Sequence, residues 1–283
     1  MTTIKLKSLL SLIALLPFLA ASAGTDYNNL TDKNTGAAAM PETIAAIGNA
    51  PFKMKDLKRP KFPDRTESVT DDLKGKGGKI TEGINKLIAD MSKRGGGTVV
   101  VPAGHWLSGR IVLKSNVNLR LDKGAVIEFS GSIDDYQPAV FTRHEGVEIM
   151  GAGAFIYANG EKNIALTGEG KIMGPPMTAA MRTLPNGKSV VENDVPYDMP
   201  VKERVCDGYD GRTFYRPKSF SPINCKNVLV EGVTFERSVL WNVNPVYCEN
   251  VIIRGITVNS TDVPSGDGID TVSYTHLRAH ETG

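Results

Sequence analysis

Two stretches of this chain, 23 residues apart, repeat one pattern, and that interval limits the folds open to it. They are Asn227-Val-Leu-Val-Glu-Gly-Val-Thr-Phe and Asn250-Val-Ile-Ile-Arg-Gly-Ile-Thr-Val. In each, apolar and polar residues alternate as in a short strand, and a Gly then turns the chain into a second strand. The spacing of 23 also separates Gly232 from Gly255 and Cys225 from Cys248. A period of that size means stacked coils rather than a closed globule. The expected architecture is therefore an all-β parallel β-helix, each coil contacting only its neighbours.

Upstream, Asn116-Val and Asn163-Ile also precede strand-like runs, so the four Asn residues are separated by 47, 64 and 23. The interval of 47 reads as two coils. That of 64 reads as one coil plus an insertion, roughly Gly174–Pro222, rich in Pro, Gly and charge. Insertions in solenoids gather on one face, often the binding face. Lys202, Arg204, Arg212, Arg216 and Lys218 lie in this one. A solvated charge run is the plainer reading, and an anion-binding wall over a cleft is the other.

Ile80, Ile84, Leu87, Ile88 and Met91 fall on one face of a helix, which Thr81 could cap and Gly95-Gly-Gly97 ends. A stack of coils has open backbone groups at its ends that must be covered. A helix over residues 80–93 suits that task. The Gly-rich run Lys74–Gly78 lacks a phosphate-loop ending and reads as a turn.

Residues 1–23 carry Lys5 and Lys7, then an apolar run, then Ala21-Ser-Ala23, the pattern of a secretory signal. The run is too short for a membrane span, so the expected location is secreted or periplasmic. Residues 24–63 read as an exposed leader with a short helix near Glu42–Ile47, and 64–273 as the β-helix. Without Lys5 and Lys7 the chain has 31 basic and 31 acidic residues, a balance that argues against nucleic-acid binding. Export permits a disulfide, but three cysteines leave one unpaired. Cys225 and Cys248, on the same corner of successive coils, read as buried thiols in preference to a bridge.

Asp267 and Asp270 lie in Pro264-Ser-Gly-Asp-Gly-Ile-Asp270. Turn chemistry alone accounts for such a cluster. A wider set of residues adds to this. The run from Arg216-Pro through Cys225-Lys-Asn-Val, Trp241, Cys248-Glu-Asn-Val and Ser265-Gly-Asp-Gly-Ile-Asp resembles the polygalacturonases, family 28 of the glycoside hydrolases. The similarity extends to Gly95-Gly-Gly-Thr-Val, Lys114-Ser-Asn-Val and Asn163-Ile-Ala-Leu-Thr-Gly, and spans about residues 64–273.

The resemblance implies a right-handed, pectin-lyase-like β-helix that acts as a monomer, without cofactor or metal, on polygalacturonate. It implies hydrolysis of 1,4-galacturonosidic linkages with inversion, with Asp267 activating the water. Asp270, Arg216 and Trp241 would contact the sugar. Rhamnogalacturonan hydrolysis, exo-galacturonidase action and non-catalytic polysaccharide binding by the same fold are the alternatives.

Three departures bear on that expectation. Ser265-Gly266 replaces an Asn-Thr, and Asn244 stands where a His often follows the Trp. Beyond Asp270 the chain has no further Asp-Asp pair, no Gly-His-Gly and no Arg-x-Lys, so a truncated and inactive polygalacturonase is expected. Residues 274–283 break the coil pattern and read as a disordered, non-native tail. His276 and His280 lack a third ligand, so no metal site is expected there.

Overall fold

The computed structural model describes residues 42–46, 48, 51, 53, 55–182, 191, 195, 198–273 and 275–280; the signal-like segment lies outside them. The chain opens with an antiparallel pair, β1 (Thr43–Ile44) and β2 (Leu57–Lys58), followed by β3 (Thr66–Ser68) and helix α1 (Thr81–Lys93). A first coil comprises β4 (Gly97–Val101), β5 (Gly104–Ser108) and β6 (Ile111–Val112). The second has β7 (Val117–Leu121), β8 (Ala125–Phe129), an antiparallel hairpin of β9 (Val140–His144) and β10 (Val147–Gly151), then β11 (Ala154–Asn159). The third has β12 (Lys162–Gly168), β13 (Lys171–Met173), the short β14 (Val205–Cys206) and β15 (Lys218–Ile223). After it come β16 (Lys226–Glu231), β17 (Thr234–Glu236), β18 (Glu249–Arg254), β19 (Thr257–Asn259) and β20 (Thr275–His280).

Three parallel sheets result, each coil adding at most one strand to each. The first orders β3-β4-β7-β12-β16-β18-β20, the second β5-β8-β13-β17-β19, and the third β6-β11-β15. Single bridges extend the third sheet through Val243 and Val246 to Ile269 and Val272. Val228 pairs with Val251 and Val230 with Ile253, all parallel. The expected β-helix is therefore observed. Val99, Leu119, Leu166, Val230 and Ile253 stack inward in this register, and all are buried.

Each closing corner of the first sheet is set by an Asn. Asn116, Asn163, Asn227 and Asn250 all have left-handed φ, between 52° and 64°, which Asn tolerates better than most residues. Their side chains form a ladder. Asn163 Nδ2 donates to Asn116 Oδ1 at 3.0 Å, Asn227 to Asn163 at 2.8 Å and Asn250 to Asn227 at 2.9 Å. This ladder shows that Asn116 and Asn163 stand in adjacent coils. The interval of 47 is thus one coil and not two, and the extra length is the β9–β10 hairpin with the segment leading into it. The two-residue turn Glu145-Gly146, both at positive φ, closes the hairpin.

The N-terminal cap covers all three sheets. Strand β3 pairs with β4 and closes the first. Lys79 bridges to Leu107 on the second. On the third, Asn85 of the helix donates to Arg110 O at 2.8 Å and accepts from Val112 N at 2.7 Å. The helix starts at Thr81 and buries Ile84, Ile88 and Met91. Thr81 does not cap it; its hydroxyl accepts from Gly109 N at 2.6 Å instead.

The ends of the sequence differ from expectation. The segment near Glu42 is β1 rather than a helix, since its partner β2 supplies the pairing. The leader is exposed over much of its described length, yet Leu57 is buried on Ala165, Leu229 and Ile252, the outward residues of β12, β16 and β18. Beside it Arg59 makes a two-pronged ion pair with buried Glu231, which Arg254 also binds at 3.2 Å. Thr275–His280 forms strand β20 beside β18, where a disordered tail was expected. The open edge of β18 and the alternating Thr-His-Leu-Arg-Ala-His run explain the pairing. The insertion also ends sooner than read, because Lys218–Ile223 is a core strand.

Candidate active site

The third sheet carries the carboxylates. Phe220 bridges to Val243 and Val243 to Ile269, while Ile223 bridges to Val246 and Val246 to Val272. Phe220, Val243 and Ile269 face the core. One position further along, Ser221, Asn244 and Asp270 stand in three successive coils and bind one another. Ser221 Oγ donates to Asn244 O at 2.9 Å. Asn244 Nδ2 donates to Asp270 O at 2.8 Å and to its carboxylate Oδ2 at 3.1 Å. Asn244 is fully buried, so its amide clamps Asp270 rather than meeting solvent.

Asp267 is exposed and sits on the turn just before. Asn242 holds that turn. Its amide Nδ2 donates to Gly266 O at 3.1 Å, Asp267 O at 3.0 Å and Ser260 Oγ at 2.8 Å. The turn leaves the Asp267 carboxylate at the surface while fixing its backbone. Burial, and then the neighbouring charge of Asp267, raise the pKa of Asp270 above the usual carboxylate range; Lys218 and the Asn244 bond oppose the shift.

Two cations lie near this pair, Arg216 at the end of the insertion and Lys218 at the start of β15. Arg216 is half-buried, and its Nη1 lies 3.5 Å from Pro264 O, three residues before Asp267. Lys218 is 1% exposed. Its Nζ donates to Arg143 O at 2.9 Å and stands 5.6 Å from the centre of the Trp241 ring. Burial pulls the Lys218 ammonium down to about 7, against the opposing pull of Asp270 and Glu145. His144 stacks on Trp241 at 6.0 Å, with Tyr215 at 4.4 Å from His144. Burial and the charges of Lys218 and Arg216 push His144 down to about 2, so this imidazole is neutral and serves as an aromatic neighbour.

The wall around these groups has its own small core of Val147, Ile149, Val191, Val195, Cys206 and Tyr215. Here β14 pairs with β10. Hairpin strand β9 is fixed to the sheet by Lys218 and by Tyr157, whose hydroxyl donates to Phe141 O at 2.7 Å. The charge run of the insertion splits in two. Lys202 pairs with Glu203 at the surface, Arg212 with Asp207, and Arg204 binds Met199 O. Only Arg216 and Lys218 of that set reach the Asp267–Asp270 region. Sequence reasoning assigned no role to His144 or Tyr215. The Glu145-Gly146 turn between two alternating runs was a usable signal for the hairpin that carries His144. Among the described residues no group of three or more His, Cys, Asp or Glu side chains is placed to hold a metal ion. No described helix is long and apolar enough to cross a membrane.

The stacked parallel sheets define the class of scaffold: the chain has the right-handed parallel β-helix fold of the family 28 polygalacturonases. It is similar to the hyperthermoactive exopolygalacturonase of Thermotoga maritima, at 31% identity and a TM-score of 0.63, over 75% of this chain and 50% of that one. It is also similar to the family 28 exopolygalacturonase of Yersinia enterocolitica, at 26% identity and a TM-score of 0.52, over 74% of this chain and 41% of that one. The chain thus spans half or less of the length of these two enzymes. No protein-family profile and no curated protein sequence matches it.

Proposed function

We propose that this chain is the galacturonate-binding part of a secreted or periplasmic, exo-acting polygalacturonase that cleaves 1,4-galacturonosidic linkages with inversion. The observation that carries the reading is that, in a chain 31% identical to an exopolygalacturonase, Asp270 feels the charges of Asp267 and Lys218, Lys218 stands over the Trp241 ring, and Arg216 reaches Pro264 O on the Asp267 turn. Each repeating unit of a galacturonan bears a carboxylate. Arg216, with a single long hydrogen bond to Pro264 O, offers its remaining donors to such an anion, and a guanidinium matches carboxylate geometry in a two-pronged way. Trp241, half-exposed, offers a face against which a sugar ring packs. Asp270 supports Asp267 from the buried side.

In an inverting hydrolysis one carboxylate activates water while an acid on the other side of the bond protonates the leaving oxygen. Asp267, exposed on its turn, takes the first role. Exo action is read from the β9–β10 hairpin, which Lys218 holds through Arg143 O, and from Arg216 against Pro264 O, segments that would limit how far a polymer extends. Beyond Asp270 the chain holds no further Asp-Asp pair and no Gly-His-Gly, so it should bind without measurable turnover, since acid–base assistance typically contributes about 10²–10⁴-fold.

Calorimetric titration with trigalacturonate tests this. Binding is expected, and Arg216→Ala should weaken it roughly 10–100-fold, as for the loss of a charged hydrogen bond. Equal affinity for the fully methyl-esterified trimer would overturn the reading. Reducing-end release abolished by Asp267→Asn would overturn the expectation of inactivity alone.

A further inference from the structure

The mechanism makes no use of the pair of thiols at the corner where the third sheet passes into the first. Cys225 and Cys248 occupy the same corner of successive coils, each two residues before a ladder Asn. Both are free, and they are 2% and 1% exposed. Their sulfurs point to neighbouring carbonyls: Cys225 Sγ donates to Ile223 O at 3.2 Å and Cys248 Sγ to Pro222 O at 3.2 Å. Cys248 therefore reaches back across the coil interface, toward the chain segment that Cys225 itself contacts.

The backbone holds the two corners at one strand spacing. Glu249 N donates to Cys225 O at 2.9 Å, and Asn224 N to Val246 O at 2.9 Å. Adjacent strands lie about 4.7–4.9 Å apart, within the roughly 4.4–6.8 Å between Cα atoms that a disulfide spans. We propose that Cys225 and Cys248 are a redox modification site, which a low-molecular-weight disulfide oxidises to a cross-link between the two coils.

The neighbouring sulfur holds the Cys248 thiol below its ordinary value, while the same neighbour and burial push the Cys225 thiol up. Cys248 is then the attacking thiolate. It displaces one thiol from the oxidant and forms a mixed disulfide. Cys225 loses its proton and attacks the Cys248 sulfur, releasing the second thiol. Two cysteine thiols are oxidised and one disulfide is reduced to two thiols, so protons and electrons balance. Burial slows the reaction in the closed state, so it proceeds when the coils open locally or while the chain folds. The product would fasten the coil that carries Lys218 to the coil that carries Trp241. Cys206, in the separate core of the wall, is left as a thiol.

The test is to refold the full chain in a reduced and oxidised glutathione couple and count thiols in denaturant. The count should fall from three to one, with the mass lower by two hydrogens and one peptide joining Cys225 to Cys248. The oxidised form should melt several degrees higher than the reduced form. Cys206→Ser should leave the cross-link intact, and Cys248→Ser should abolish it. Should Cys248→Ser fail to fold, the peptide map of the unmodified chain decides. Three remaining thiols, a glutathione adduct held on one cysteine, or a link through Cys206 would overturn the proposal.

Discussion

Along the first sheet each coil puts the same kind of residue in the same place; along the third sheet it does not. Val99, Leu119, Leu166, Val230 and Ile253 form one apolar column, with the Asn ladder at its corner. On the third sheet Ala154 pairs with Lys218, the next coil brings Trp241 to that end of the sheet and the next Asp267, and the position beside them runs Ser221, Asn244, Asp270. Like residues stacked on like cost little and say little. Unlike residues stacked in the same register require buried polar groups to find particular partners, and there the fold acquires chemistry.

The contrast can be tested by substitution. Leu166→Ala, in the apolar column, should lose about 2–5 kcal/mol by the transfer and cavity costs of a fully buried aliphatic. The loss should be the same at pH 6 and pH 9 in urea unfolding. A pH-dependent loss would mean that the column is coupled to the charged face.

Lys218→Met should do the opposite on the third sheet. The folded ammonium titrates near 7 against an ordinary 10.5, so below pH 7 the protein carries the full cost of a buried charge. That cost is about 5 kcal/mol at 1.36 kcal/mol per pH unit. Between 7 and 10.5 the unfolded chain holds the proton while the folded chain does not, so stability rises with pH and the cost fades. The methionine leaves Arg143 O without a partner, at about 1–3 kcal/mol. The expected net is a gain of roughly 3 kcal/mol at pH 6, crossing zero near about pH 9 and becoming a loss of roughly 2 kcal/mol by pH 10.5. A loss of stability at pH 6 in the same unfolding assay would show that the amine is held by more than it costs.

The smallest effect is expected at the ladder. Asn227→Gly keeps the left-handed φ but removes two side-chain hydrogen bonds, at about 1 kcal/mol each at most when solvent can replace them. Asn227→Leu adds the strain of a bulky residue at positive φ, a further 1–2 kcal/mol or so. Equal melting temperatures for the two variants would show that φ at this corner is not what the Asn provides.

This comparison also explains what could be read beforehand. The repeat from Asn227 to Asn250 exposed the coil because the first sheet is regular, and five apolar positions of one helix face exposed the cap. The interval from Asn116 to Asn163 misled because a hairpin and a plain coil have similar lengths and the same alternation. Asp267, Asp270, Arg216 and Trp241 were singled out only through family likeness, since turn chemistry alone accounts for an Asp-Gly-Ile-Asp run. Asn244 and Lys218 could not be assigned their places from sequence. Whether a polar residue in a strand is buried depends on what an inserted segment lays over it, and here β9 comes from a different coil.

The Asn ladder has a further implication for how such a molecule changes over generations. Coils of 47, 64 and 23 residues all return to the same rung. The return point is fixed by one side chain and one backbone angle, and so is indifferent to the length of the excursion between rungs. Segments can then be spliced into a corner, lengthened or exchanged without displacing any strand above or below. The scaffold behaves like a ring binder, in which pages of different size turn on the same holes.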